Sequence, residues 1–175
     1  MHNDERTPFN EVDLSFKHYF YTPIGIFVPA VTDYFCPFRE MDFWNYDGEK
    51  DGKSRGAHTI NVACEYIVSK DLPLKITADY CFHNDPQHPF YLEALYQFYH
   101  ENFIIEPYIG IAKGMGAGGF TEQYGIVDNK VGVCNLGLNV TKVIDVSEKF
   151  KLPVTSTLSI QPYTGKVWVV FKAKI

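Results

Sequence analysis

A two-residue period restricts this chain more than any other feature. Leu74, Ile76, Ala78, Tyr80 and Phe82 alternate with Lys75, Thr77, Asp79, Cys81 and His83, and only an extended strand sends successive side chains to opposite faces. The pattern recurs. Ile60, Val62, Cys64, Tyr66 and Val68 alternate with Thr59, Asn61, Ala63, Glu65 and Ile67. Phe90, Leu92, Ala94, Tyr96 and Phe98 oppose Glu93 and Gln97, and Phe103, Ile105, Pro107, Ile109 and Ile111 oppose Glu106, Tyr108 and Gly110. Cys134, Leu136, Leu138 and Val140 face away from Asn135, Gly137, Asn139 and Thr141. Two runs close the chain, Leu152 to Gln161 and Lys166 to Ile175, and two open it, Val12 to Phe20 and Ile24 to Tyr34. The expected fold is all-β, an antiparallel up-and-down meander of about nine strands with one apolar and one polar face. Residues 1–10 read as a disordered N-terminal segment, and 11–175 as a single barrel domain that lacks its N-terminal strands.

Connection lengths add orientation. Short turns near 21–23, 69–73 and 100–102 alternate with long connections at 35–57, 83–89 and 113–129. Outer-membrane barrels show that order, with short turns on the periplasmic side and long loops outside. Counting back from the C-terminus puts the turn at Tyr163-Thr164-Gly165 outside and the one at 144–150 inside. The first strand then starts outside, so the count is odd. Single-chain bacterial barrels have even counts, and the N-terminal Met1-His2-Asn3-Asp4-Glu5-Arg6 is too polar for a secretory signal peptide. Both point to a signal peptide and strands that precede this sequence.

Alternation alone fits either a soluble barrel with apolar residues inside or a membrane barrel with them outside. Runs of about nine to eleven residues match a tilted bilayer crossing. Aromatic residues make up 16% of the chain, and Tyr66, Tyr80, Phe82, Phe90, Tyr96, Phe98 and Phe103 fall toward strand ends, where an interfacial girdle belongs. No window reaches the roughly 20 apolar residues of a spanning helix, so any crossing is made by strands. The candidate lumen-facing residues are Glu65, Lys75, Thr77, Asp79, Glu93, Gln97, Glu106, Tyr108, Asn135 and Asn139. Pro29 and Pro107 lie inside proposed strands, where a missing N–H predicts a bulge or distorted pairing. Ile67 and Trp168 interrupt the polar face.

Other motifs give way to simpler readings. The net charge of -5, with scattered Lys and Arg, offers no basic stripe for nucleic acid. Cys36, Cys64, Cys81 and Cys134 show no C-x-x-C spacing, and no metal or cofactor is expected. Cys64 and Cys81 fall on opposite faces, so a disulfide between them would contradict the register. The run Gly114-Met115-Gly116-Ala117-Gly118-Gly119 spells G-x-G-x-x-G but lacks the helix that a dinucleotide site needs. Glu93 and Glu106 on one face invite an acid–base reading for glycoside hydrolysis, and wall charge explains them more simply. His83 and His88 flank a proline-marked turn. The Asn139-Val140-Thr141 sequon sits in mid-strand. No Ser, His and acid constellation is signalled, so no enzyme is expected.

Several segments carry a family resemblance: Val31-Thr32-Asp33-Tyr34, Asn135-Leu136-Gly137-Leu138 leading to Thr141-Lys142, Phe150-Lys151-Leu152-Pro153-Val154, and Gln161-Pro162 through to Val169-Val170-Phe171. From about Glu11 onward the chain resembles uncharacterised outer-membrane barrel proteins of Bacteroidetes, similar in style to TorF-like porins. The resemblance implies a signal peptide and about three more strands upstream, giving a barrel of about twelve. It implies the bacterial outer membrane as location, and outer-membrane lipid and the barrel-assembly machinery as partners. The family supplies no catalytic residues or substrate. The closing residues keep the alternation that the machinery reads, with Val167, Val169, Phe171 and Ala173, but the chain ends in Ile175 and not in an aromatic residue. The expected function is porin-like passage or binding of small solutes; the alternative is a soluble, lipocalin-like barrel holding an apolar ligand.

Overall fold

The computed structural model describes residues 12–35, 43–46, 58–69, 71–84, 89–113 and 131–173. Strand follows strand with no helix among them: β1 (Val12–Lys17), β2 (Phe20–Thr22), β3 (Gly25–Phe35), β4 (His58–Ile67), β5 (Leu74–His83), β6 (Phe90–Tyr96), β7 (Phe98–His100), β8 (Phe103–Lys113), β9 (Val131–Ser147), β10 (Phe150–Gln161) and β11 (Lys166–Ala173). All eleven form one sheet in meander order, β1-β3-β4-β5-β6-β8-β9-β10-β11, with β2 beside β3 and β7 beside β8. Every pairing is antiparallel. The sheet is not closed, and β1 and β11 are its two edges.

Eleven segments reduce to nine strands because two of them are split by prolines. β1 ends with Lys17 opposite Ala30 and β2 resumes with Phe20 opposite Phe27, a constant register interrupted opposite Pro29. The His18 N–H donates to the Pro29 carbonyl at 3.1 Å, but Pro29 has no N–H to return. Likewise Leu95 of β6 faces Tyr108 and Phe98 of β7 faces Ile105, so the gap falls opposite Glu106 and Pro107. On their other sides Pro29 pairs with Cys64 and Pro107 with Leu138 without any shift. The distortion expected at these prolines is real and confined to one neighbour each.

Three register shifts fall elsewhere, at Ile60/Asn61, Gly110/Ile111 and Phe150/Lys151. The first and second each correct an expectation. Ile60 faces His83 while Asn61 faces Cys81, so Phe82 is the extra residue of a β-bulge and His83 joins Ile60 on the apolar face instead of the polar one. Opposite Gly110 and Ile111 stand Asn135 and Val133, so Cys134 is an extra residue in a β-bulge. It is fully buried, packed with Ala112 and Tyr91, and does not line up with the exposed Leu136 and Leu138. The turn expected over 144–150 also tightens, since β9 runs to Ser147 and turns at Glu148 and Lys149.

The two faces differ in enclosure. Register places Val28, Leu95, Cys81, Ala112 and Thr59 on the polar face, and these are among the most buried residues, at 0–5% exposure. Mid-strand residues of the apolar face stay open: Val62 is 39% exposed, Leu92, Ile109 and Leu136 are 40%, and Leu158 and Ile160 are 41%. The small hydrophobic core therefore sits on the polar side of the sheet, and the apolar side is the more exposed of the two.

Candidate functional site

Ladder rows bring nine of the ten expected residues to one face, and Gln97, in the gap between β6 and β7, reaches the same face through its hydrogen bond to Glu106. Glu65, Thr77, Glu93, Gly110 and Asn135 form one row across β4, β5, β6, β8 and β9. Lys75, Leu95, Tyr108 and Gly137 form the next. Asp79 faces Tyr91, and Glu106 faces Asn139. Antiparallel register alone sets these neighbours, because every second residue of each strand returns to the same side.

Each charged group has a short-range partner. Lys75 Nζ lies 3.5 Å from Glu65 Oε2, and Lys17 Nζ lies 4.0 Å from Glu65 Oε1. The other carboxylates are held by neutral donors. Asn61 Nδ2 donates to Asp79 at 2.7 Å, the Tyr91 hydroxyl to Glu93 at 2.6 Å, and Gln97 Nε2 to Glu106 at 2.6 Å. Tyr99 donates to Gln97, Asn135 Nδ2 donates to the Tyr91 oxygen at 3.1 Å, and Thr157 donates to Asn139 at 2.7 Å. Thr141 and Thr155 bond each other at 2.7 Å. The polar face is thus a hydrogen-bonded wall of carboxylates, amides and hydroxyls. Such a wall can be wetted and can present charge to solutes.

The acid–base reading of Glu93 and Glu106 finds no support in this register. Glu93 faces Gly110, four residues along β8 from Glu106, an offset of roughly 13 Å against the roughly 5–9.5 Å that separates glycosidase carboxyls. His83 turns its Nε2 to the Tyr46 carbonyl at 2.9 Å; Asp85 and His88, like the glycine run at 114–119, lie outside the described residues. Cys64 pairs in register with Ala78, away from Cys81, and Cys81 Sγ donates to the His83 carbonyl at 3.5 Å. Asn139 of the sequon is spoken for by Thr157 within the ladder.

The alternation also conceals several working residues. Tyr91 ties Glu93 to Asn135, Asn61 orients Asp79, and Lys17 joins the Glu65 pair from β1. Gly137 lies under the Tyr108 ring. Cross-strand register, once known, exposes all of these. On the apolar face, near the long-loop end, Asp33 and His58 form a contact that the period would not place there. Comparison of the chain with family models, curated proteins and solved structures returned no match.

One prediction belongs to this wall. Tyr91→Phe removes the donor to Glu93 and the acceptor for Asn135, and lowers unfolding stability by about 1–3 kcal/mol. A shift of the urea midpoint at unchanged slope is the readout; an unchanged midpoint would show that water replaces the phenol at no cost.

Proposed function

We propose that this chain is the wall of an outer-membrane β-barrel, porin-like, whose polar face lines a passage or binding space for small solutes. The observation that carries the reading is the inversion of the two faces. The carboxylates and amides share their side with the buried Val28, Leu95, Cys81, Ala112 and Thr59, while Val62, Leu92, Ile109, Leu136, Leu158 and Ile160 are each about two-fifths exposed. A soluble lipocalin-like barrel is built the other way, with its apolar side enclosed. A contiguous exposed apolar face is uncommon on soluble monomers and marks an interaction surface, and it is the ordinary outer surface of a membrane barrel.

Aromatic placement supports the same reading. At the short-turn end Phe27 stacks on Tyr66 with centroids 4.5 Å apart, Tyr96 meets Phe98 at 4.7 Å, and Lys142 lies 5.2 Å above Phe103. At the other end stand Phe35, Phe82 and Phe90. Eight residue steps separate Tyr66 from His58, roughly 26 Å along the strand, which at a barrel's tilt suits an apolar band. Outer-membrane lipid and the barrel-assembly machinery are the partners this reading requires.

The edges bear on closure. With nine strands in the ladder path, β1 and β11 run in the same direction, so an antiparallel barrel closes only when an odd number of further strands stands between them.

Expression tests the proposal. The chain is expected to sediment with membranes, to resist extraction by salt, to dissolve in detergent, and to change gel mobility on boiling. A monodisperse monomer in detergent-free buffer would overturn it.

A further inference from the structure

Asp33 and His58 stand where a membrane barrel should carry neither. Asp33 pairs in register with Ile60 and Leu14, and His58 with Phe35, which puts both on the outward, apolar face. A charge on that face is costly in hydrocarbon. Yet the His58 side chain is fully buried, because residues 43–46 fold over it.

Every polar atom of the pair is answered locally. His58 Nδ1 lies 2.8 and 2.9 Å from the two Asp33 oxygens, and Nε2 faces the Phe43 carbonyl. Both ring nitrogens thus meet oxygen atoms within the cluster and neither is turned outward. The Tyr46 hydroxyl donates to Asp33 Oδ2 at 3.2 Å. The Tyr46 ring stacks on His58 at 3.9 Å, and Phe43 meets the same imidazole edge-on at 5.0 Å. His83 grips the Tyr46 carbonyl and Asn84 the His58 carbonyl. Among the described residues of this segment the two most exposed are aromatic: Trp44 is 80% exposed and Phe43 40%.

Water outside this cluster would hydrate a carboxylate and an imidazole unaided, and would disfavour two aromatic rings laid outward over them. A bilayer interface requires both features, with polar groups sealed from the acyl chains and an amphipathic indole at headgroup level. We propose that residues 43–46 form a strap seated in the membrane–water interface, with Trp44 among the lipid headgroups and the Asp33–His58 pair sealed beneath it. The inference rests on the membrane reading above and adds a partner, the interfacial lipid layer, and the device that holds the chain against it.

Trp44 reports its own surroundings once Trp168 is replaced by phenylalanine. In phosphatidylcholine vesicles brominated either just below the ester or near the chain end, Trp44 emission is expected to be blue-shifted. Shallow bromines should quench most of it, deep bromines far less, and aqueous iodide little. His58→Ala, which removes the clasp, should abolish the shallow quenching and raise iodide quenching several-fold in protein that has inserted; the unaltered His58 arm decides alone where the variant does not insert. Insertion, read by mobility change on boiling, with Trp44 open to iodide and untouched by bromine would overturn this inference and leave the membrane reading standing. Failure to insert would remove both.

Discussion

On the proposed membrane reading, Leu138→Arg is expected to lower the stability of the bilayer-inserted protein by about 2–4 kcal/mol, the cost of a cation on a lipid-facing position near mid-membrane. Leu138 lies mid-strand on β9, between Pro107 of β8 and Leu158 of β10, with its neighbours along that face, Leu136 and Val140, also apolar. Arginine there has no carboxylate beside it and must stretch toward a distant interface. Thr77→Lys is the matched control. Thr77 sits in register between Glu65 and Glu93 on the polar face, so the new ammonium meets two carboxylates and changes stability far less. Urea titration of refolding into short-chain phosphatidylcholine bilayers, followed by gel mobility, gives both values on one scale. The sign separates environments: if Leu138 faced water at its 36% exposure, arginine would be neutral or would aid solubility, and that outcome would sink the barrel proposal.

What was legible beforehand follows from the reach of each signal. The alternation in residues 74–83 depends on those residues alone, so strand identity and the meander order could be read directly. Pro29 and Pro107 were equally local, since a missing N–H predicts a break whatever lies alongside, and both breaks occur. Bulges are different, because they count two residues on one strand against one on its partner. Nothing in the run Val133-Cys134-Asn135 states which of these faces Ile111, and the placement of Cys134 on the apolar face failed for that reason. The ten wall residues were found by period, but their pairings, such as Tyr91 with Asn135 or Gln97 with Glu106, needed the register. The Asp33–His58 contact spans 25 positions and depends on a segment folding back over the sheet. Which face is enclosed depends on how the sheet curves, and a period of two is silent on that.

Gly137→Val provides the second large effect, with a sign opposite to the usual rule. Glycine in a strand interior normally weakens it, and a β-branched replacement normally helps, on a scale of about 1 kcal/mol. At this position a Cβ would collide with Tyr108 at Cζ and Cε1, because the phenol ring lies flat in the space the glycine leaves. Gly132 makes the same bed for Tyr163, so the device recurs and fits the covering of strand glycines by neighbouring aromatics. Valine at 137 must lift Tyr108 off the wall, with an expected loss of about 1–3 kcal/mol. Tyr108→Ala also destabilises by baring the glycine backbone. The double variant Gly137→Val with Tyr108→Ala should recover part of the loss, with a coupling of roughly 0.5–3 kcal/mol between the two positions. Strict additivity in that cycle would mean that ring and glycine do not act as one unit, and the packing of the polar face would have to be redrawn around Asn139 and Thr157 alone.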